Sequence, residues 1–173
     1  EYSLTETINN PLKILSLPNV PIFDMIYRVL TLMTVGSKRF LTSKVDRSVT
    51  GLIAQQQCIG PLHTPLANVA VCAHSYYNTV GTASAIGEQP IKGLIDSAAM
   101  ARISLGEMLT NLMWAKITNF EDIKCAGNWM WPCKDSEDSY KLYKAVKALS
   151  FMLTRMKIAI DGGKDSLSMF VQT

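Results

Sequence analysis

Residues 161–169, which read DGGKDSLSM, have the residue types and spacing in this sequence that best suit phosphate binding. An apolar run at 158–160 precedes them, so the pattern predicts a strand followed by a glycine-rich turn. Glycine permits φ > 0 and lets backbone N–H groups approach an anion closely, while Lys164 adds a cation and Ser166 a hydroxyl donor. The segment lacks the spacing of a Walker A loop, so a tight turn without a ligand is the alternative interpretation.

A second candidate pair, Glu107 and Asn111, interrupts an otherwise small and apolar stretch of predicted helix. Residues four apart lie on one helix face, about one turn from each other. A carboxylate and an amide oxygen in that arrangement can share a hard cation such as Mg²⁺ with phosphate oxygens. A polar pair on a helix surface accounts for the same spacing, so both interpretations stay open on the sequence.

Other polar side chains carry less information. Lys38 follows Gly36 and Ser37 and can reach a phosphate, but a solvated surface lysine is the alternative interpretation. Asn68 lies in a predicted strand and needs a hydrogen-bond partner if it is buried. His63 and His74 have no carboxylate or serine at a diagnostic spacing and are predicted to be structural. Because no nucleophile–base arrangement is visible, we predict no catalytic residue in this chain.

Hydrophobic periodicity indicates which elements carry these candidates. An apolar stripe predicts a helix over 96–117, and a second long helix follows Ser136, its predicted N-cap. A shorter amphipathic helix is predicted over 21–33. Strand-like stretches occupy residues 50–54, 66–73, 80–86 and 158–160, the third being either a strand or an extended loop.

This mixture of elements predicts one α+β domain, built from a mainly antiparallel sheet with two long helices packed on one face. A length of 173 residues suits a single domain, and an apolar content of 48% allows a sizeable core. Residues 1–20 are expected to form an irregular arm or linker, so the predicted domain spans 21–173. The sequence starts at Glu1 and stops in a strand-like stretch, which suggests a piece of a longer protein.

Composition excludes several classes of function. The net charge of +3 is small and the lysines and arginines are scattered, which argues against a nucleic-acid partner. No apolar run is long enough to span a bilayer and no signal peptide is visible, so no membrane association is expected. The cysteines lack C-x-x-C spacing, which favours buried free thiols over a zinc site or disulfides. Free thiols indicate a reducing compartment, and a cytoplasmic location is expected. They are Cys58, Cys72, Cys125 and Cys133.

Several long and uncommon stretches between residues 35 and 169 resemble the large, eukaryote-like phosphoribosylformylglycinamidine synthase family. The resemblance covers nearly the whole chain beyond the predicted arm. The chain also resembles the N-terminal-type domain of the wider aminoimidazole ribonucleotide synthetase superfamily. The matching stretches are VGSKRFLT at 35–42, KVDRSVTGL at 44–52, AQQQCIGPL at 54–62, GEQP at 87–90, GEMLTNL at 106–112, KCAGNWMW at 124–131 and GGKDSLSM at 162–169.

The resemblance implies that the full-length protein is an ATP-dependent C–N ligase of EC class 6, of the glutamine amidotransferase type. The family amidates formylglycinamide ribonucleotide with ATP and glutamine in de novo purine synthesis, and its synthetase core consists of two related halves. This chain resembles the N-terminal domain of the second half, without the first half's catalytic histidine or the glutaminase's catalytic cysteine. The implied partners are the remaining synthetase and glutaminase domains of the same polypeptide, and the isolated chain is expected to be inactive.

The resemblance also implies an auxiliary nucleotide site with ATP or ADP and Mg²⁺ in this domain. The family usually carries Asp where this chain has Asn68, so the amide should weaken Mg²⁺ binding by removing a charge. The glycine segment is expected to reach across to the other half, so a change at Gly163 should scarcely alter the fold of the isolated chain. The implied residues are Lys38, Ala67 and Gly163 for the nucleotide, Glu107, Asn111 and Asn68 for the metal, and Lys164, Asp165 and Ser166 for the substrate phosphate.

A structural and assembly role is the alternative to a working ligand site. In that case the nucleotide site is vestigial and the domain serves to pair with the other half of the core. Asn68 favours this alternative, whereas Lys38, Glu107 and Asn111 favour a working site. Because the other half is missing here, we also expect the isolated chain to form a homodimer through an exposed sheet face or edge.

Overall fold

The computed structural model describes residues 18–37, 51–54, 68–169 and 171. Helix α1 spans Ile22–Leu30, with Asp24 in its first turn and Arg28 in its last, and none of its residues is buried. The short amphipathic helix predicted over 21–33 is therefore confirmed. The arm predicted over 1–20 lies outside the described residues except at 18–20.

Strands β1 (Val69–Ala73) and β2 (Gly81–Ala85) form an antiparallel pair. They confirm the strand predicted over 66–73 within its described part and settle the stretch over 80–86 as a strand rather than a loop. Ile53 forms a single bridge to β1, so the described part of the stretch predicted over 50–54 lies along the other edge of this strand.

Helix α2 (Pro90–Gly93) is a single turn, and helix α3 follows it over Ser97–Leu112. The Asp96 carboxylate caps α3, since it accepts hydrogen bonds from the N–H groups of Ala98 and Ala99 at 2.9 and 3.0 Å. The helix was predicted to continue to residue 117 because the sequence stays apolar. It ends at Leu112, and the apolar Met113 and Trp114 beyond it are exposed.

Helix α4 spans Ser136–Met156, and its N-cap is Asp135 rather than the predicted Ser136. The Asp135 backbone is extended and its carboxylate accepts the Asp138 N–H at 2.7 Å, which leaves Ser136 as the first helical residue. At the other end the chain leaves the helix through Lys157, whose φ of 58° is in the left-handed region.

Helix α4 connects two parallel strands, β3 (Lys124–Met130) and β4 (Ala159–Ser166). Parallel strands need such a crossover, and a helix supplies it. The pairing starts with Lys124 opposite Ala159 and ends with Met130 opposite Ser166, but it shifts by one residue between Cys125 and Ala126. The extra residue on β4 is Asp161, which forms a β-bulge.

The predicted glycine turn after residues 158–160 is wrong, because Gly162 and Gly163 lie inside strand β4. Neither glycine adopts a positive φ. Gly163 pairs with Gly127, and a Cβ at position 163 would lie 2.6 Å from the Gly127 carbonyl oxygen. This glycine therefore allows two strands to approach each other and does not mark a change of chain direction.

The core lies where β1, α3 and the end of α4 meet. A second, smaller cluster fills the contact between α3 and α4, where Ala145 is completely buried against Met100 and Ala101. Small side chains at such a contact allow two helices to pack closely. The buried residues of the main cluster are Val69, Leu105, Leu112, Ile123, Leu153 and Ile158.

The α+β class is confirmed, since the described helices are accompanied by two strand pairs. One pair is antiparallel and the other parallel, so a mainly antiparallel sheet with two long helices on one face stays a prediction. Within the described residues, no helix is both long and apolar enough to cross a membrane.

Candidate functional site

The Glu107 carboxylate on α3 holds the segment that follows strand β2. Its Oε2 atom accepts a hydrogen bond from the Glu88 N–H at 3.0 Å and another from the Gln89 side-chain amide at 2.7 Å. Glu107 is half-buried, and a hydrogen bond to a charged oxygen is stronger than one between neutral groups. This residue therefore fixes residues 86–89 against the helix.

Asn111 makes a second contact to the same segment one turn along α3. Its side-chain N–H donates to the Ile86 carbonyl oxygen at 3.0 Å. Between these anchors lies Gly87, at which a Cβ would lie only 2.0 Å from the Ser104 carbonyl oxygen and 2.6 Å from the Met108 nitrogen. Only glycine permits so close an approach of two backbones, so the segment 86–89 packs directly on α3.

Within the described residues, Glu107 and Asn111 each keep one side-chain oxygen available. Among the described residues, nothing donates a hydrogen bond to Glu107 Oε1 or to Asn111 Oδ1. A carboxylate oxygen and an amide oxygen are the donor types that Mg²⁺ prefers, together with phosphate oxygens and water. The pair therefore fits a hard cation while it also holds the segment 86–89.

Asn68 lies at the same end of the β1–β2 pair as this segment. It immediately precedes Val69, which pairs with Ala85, and Ile86 immediately follows Ala85. The antiparallel register thus brings Asn68 to the end of the sheet where the Ile86 carbonyl receives the Asn111 side chain. Asn68 is exposed, so the buried hydrogen bond considered from the sequence is not required.

The three residues predicted to hold a metal, Glu107, Asn111 and Asn68, therefore come from two elements that meet at one end of the sheet. Only one of them carries a negative charge. In the part of the chain that the structure describes, no three His, Cys, Asp or Glu side chains group closely enough to hold a metal ion. Any cation bound here would depend on neutral amide oxygens and on the ligand's own charge.

The residues predicted to bind the substrate phosphate lie in the other sheet. Gly163, Lys164, Asp165 and Ser166 belong to strand β4, which pairs with β3. The Lys164 ammonium donates to the Ser166 hydroxyl, so these two side chains share one face of the strand. The structure does not place this group in the sheet that carries Asn68. The nucleotide residues predicted at Lys38 and Ala67 lie outside the described residues.

The described cysteines are free thiols, in agreement with the sequence prediction, but they are half-buried rather than fully buried. Burial raises the pKa of the Cys125 thiol, and the negative charge of Asp161 on the bulge adds to this effect. A thiol with a raised pKa is a poor nucleophile at neutral pH. His74 contacts the Thr82 hydroxyl in the β1–β2 pair, while His63 and Cys58 lie outside the described residues.

The role of residues 86–89 was not predicted from the sequence. The stretch GEQP contributed only to the family resemblance, because Glu88 and Gln89 contact Glu107, which lies far along the chain. The one local signal was Gly87, a glycine between two predicted elements. Helical spacing correctly placed Glu107 and Asn111 on one face, but spacing alone could not identify what that face contacts.

The chain matches a known protein family over most of its length. Residues 37–173 match the family model described as the FGAR-AT PurM_N-like domain. The chain is 56% identical over 146 residues to the phosphoribosylformylglycinamidine synthase of Dictyostelium discoideum, a match that covers 84% of this chain and 11% of that protein.

Two further relatives have similar identity and coverage. The probable phosphoribosylformylglycinamidine synthase of Caenorhabditis elegans is 56% identical over 161 residues, or 92% of this chain and 12% of the relative. The human phosphoribosylformylglycinamidine synthase is 51% identical over 152 residues, or 88% of this chain and 11% of the relative. The chain thus spans about a tenth of the length of these proteins, and it belongs to the FGAR-AT PurM_N-like domain family.

Proposed function

We propose that this chain is a domain of a phosphoribosylformylglycinamidine synthase, corresponding to the N-terminal-type domain of the second half of its synthetase core. The full-length protein would be an ATP- and glutamine-dependent ligase that amidates formylglycinamide ribonucleotide in cytoplasmic purine biosynthesis. This assignment is supported by a sequence identity of more than one half to known synthases over most of the chain. In the complete protein we expect a mainly antiparallel sheet, covered on one face by α3 and α4.

The domain's contribution would be a nucleotide–Mg²⁺ site. Glu107, Asn111 and Asn68 would hold the metal through oxygen atoms, and a bound Mg²⁺ would neutralise charge on the nucleotide phosphates. The observation that carries this proposal is the pair of oxygens, Glu107 Oε1 and Asn111 Oδ1, that no described residue uses. Lys38, Ala67 and Gly163 would contact the nucleotide.

The substrate phosphate would lie near β4. Lys164 supplies a cation there, the Ser166 hydroxyl is already oriented by the lysine, and Asp165 points to the opposite face of the strand. One strand offers few donors, and each net hydrogen bond contributes only about 1 kcal/mol in water. We therefore expect the site to need donors from the other synthetase half. The chain alone should not catalyse the amidation, and ATP-dependent product formation by it would contradict this.

Metal binding gives the sharpest test. In calorimetry with Mg·ADP, we expect Asn68→Asp to tighten binding about tenfold, because one more negative ligand faces the cation. Glu107→Gln should weaken or abolish binding while it keeps an oxygen for the Glu88 N–H, so the melting temperature should change little. Glu121→Gln, an exposed glutamate paired with Lys157, removes the same charge elsewhere and should leave binding unchanged.

Two outcomes would contradict the metal assignment. If Asn68→Asp leaves the affinity for Mg·ADP as it was, position 68 does not face the metal. If Glu107→Gln and Glu121→Gln weaken binding equally, the effect comes from net charge and not from ligation. Titration with ADP in the absence of Mg²⁺ provides the baseline for both comparisons.

A structural and assembly role is the second candidate. It is favoured by the hydrogen bonds that already engage Glu107 and Asn111 with residues 86–89 and by the neutral side chain of Asn68. Under this alternative, neither the unchanged chain nor any of these variants binds Mg·ADP at millimolar concentration. The calorimetric titration therefore separates the two candidates.

The isolated chain is also expected to form a homodimer. All residues of strand β4 except Ser166 are exposed, and helix α1 exposes Phe23 by 79% and Ile26 by 47%. Exposed apolar surface and open strand edges favour association, and a twofold pair is the simplest closed arrangement. Weak interfaces form at concentrations of roughly tens of micromolar. Light scattering in that range should give the mass of a dimer. A monomer there would contradict the expectation.

A further inference from the structure

A groove on the surface formed by α3 and α4 has a distinctive composition. It has a volume of about 830 Å³. No residue of the segment 86–89 or of strand β4 lines it. Four cations line it, Arg102 from α3 and Lys144, Lys147 and Arg155 from α4. None of the described residues lining the groove is acidic.

The cations of α4 lie over aromatic rings on the same helix. Lys144 is 5.9 Å from the ring centre of Tyr140, and Lys147 is 5.7 Å from that of Tyr143. Arg155 stands in the same relation to Phe151, at 5.5 Å. These cation–π contacts orient the charged groups along one stripe without neutralising them.

The described ion pairs leave these four cations unneutralised. They join Lys141 to Glu137 and Lys157 to Glu121, both outside the groove. Asp96 interacts electrostatically with two of these cations, and its carboxylate caps α3 by accepting the Ala98 and Ala99 N–H groups. The pKa of Asp96 is lowered mainly by the Ala99 N–H, with smaller contributions from Lys144 and Arg102. A single carboxylate cannot neutralise four cations.

The aromatic side chains of the groove are also largely exposed. Phe151 is 61% exposed and Tyr143 is 47% exposed. Aromatic residues and arginines are enriched at the buried centres of protein interfaces. A surface with unneutralised cations and exposed aromatic rings matches a partner that has carboxylates and apolar side chains on one face.

The shape of the charge distribution discriminates between ligands. The stretch of α4 between Lys144 and Arg155 is about 16 Å long, at a rise of about 1.5 Å per residue. A mononucleotide presents its negative charge at one end, so it can contact only some of the cations along this stretch. A helix with acidic residues repeating every three or four positions presents carboxylates over the same length.

We propose that the α3–α4 groove binds an acidic amphipathic helix from another domain of the same polypeptide. The chain accounts for only 11–12% of its full-length relatives, so a much longer part of the same polypeptide is available to supply this helix. This inference rests on the proposed function only in requiring the longer synthase chain. It adds a specific interface to that function, on a surface that carries none of the proposed ligand-binding residues.

Cross-linking of the full-length protein that contains this chain tests the proposal. A carbodiimide joins lysine ammonium groups to carboxylates in direct contact, and mass spectrometry identifies the pairs. We expect Lys144 and Lys147 to be joined to Asp or Glu residues outside 1–173. In a mixture of ¹⁵N-labelled and unlabelled protein, the linked peptides should carry a single label. Links between different labels, or no links at these lysines, would overturn the proposal.

Charge reversal at the arginines provides a second measurement, because arginine does not react with the carbodiimide. Arg102→Glu combined with Arg155→Glu should reduce the yield of links at Lys144 and Lys147 at least tenfold. Arg28→Glu reverses one exposed charge on α1, outside the groove, and as a control should leave the yield unchanged. Arg102→Gln with Arg155→Gln should give a smaller reduction, and a melting curve verifies that each variant is folded.

Competing ligands give further decisive outcomes. If ADP or a single-stranded oligonucleotide suppresses the links at Lys144 and Lys147, the groove binds a nucleotide or nucleic acid and the proposal is wrong. Synthase activity is assayed separately on the same full-length protein. Absence of activity together with intact links would count against the proposed function but not against the interface.

Discussion

Replacing Gly163 with alanine should lower the unfolding free energy of the chain by about 3 kcal/mol, through overpacking of the β3–β4 contact. The added Cβ would lie 2.6 Å from the Gly127 carbonyl oxygen, and the strand backbone cannot move aside without losing the pairing. For a chain of this length, we expect the melting temperature to fall by roughly 6–12 °C.

The neighbouring glycine provides the control for this substitution. Nothing lies within 4 Å of a Cβ built at Gly162, and its φ is not positive, so Gly162→Ala should change stability by no more than about 0.5 kcal/mol. Thermal melts of both variants decide the matter. Equal effects at the two positions would mean that Gly163 does not pack against Gly127.

Gly87→Ala should have the second largest effect, because it forces the segment 86–89 away from α3. Its Cβ would overlap the Ser104 carbonyl oxygen at 2.0 Å, and both groups belong to the backbone. We expect a loss of about 2–3 kcal/mol in unfolding free energy by urea denaturation. The same displacement would pull Ile86 from Asn111, so Mg·ADP binding should weaken as well.

Gly106→Ala, on the same helix, should act in the opposite direction. A Cβ there meets no atom within 4 Å, and alanine is a better helix former than glycine by about 1 kcal/mol. We therefore expect Gly106→Ala to raise the urea midpoint while nucleotide binding stays the same. Stability that falls for both glycine variants would contradict the close approach described for the segment 86–89.

Much of the helical structure could be predicted, because the signals are local. The apolar stripes located α3 and α4, and the predicted N-cap indicated where α4 begins. The error at the start of α4 was one residue, since Asp135 and Ser136 are both good N-cap residues and the sequence could not decide between them.

The glycines near the C-terminal end were misinterpreted for a nonlocal reason. A pair of glycines is compatible with a turn and also with a strand that closely approaches another backbone. The residue that decides between them is Gly127, which is separated from Gly163 by the whole of α4. No pattern within residues 158–169 contains that information.

The candidate site was predicted in part. The i, i+4 spacing placed Glu107 and Asn111 together, but their contacts with residues 86–89 depend on how β2 leads into α2. The cations of the α3–α4 groove were described as scattered because they were counted along the whole sequence. Their spacing on α4, at positions 144, 147 and 155, would have revealed one helix face.

The bulge at Asp161 determines which face of the sheet each later side chain of β4 occupies. Because Ala126 pairs with Gly162 and not with Asp161, Lys164 and Ser166 stand on the exposed face of β3, opposite Asn128 and Met130. Without the bulge, Lys164 would pair with Trp129 and lie on the half-buried face of β3. The length of chain between α4 and Ser166 is thus as constrained as the identity of its residues, and one inserted or deleted position there exchanges the inner and outer faces of the strand.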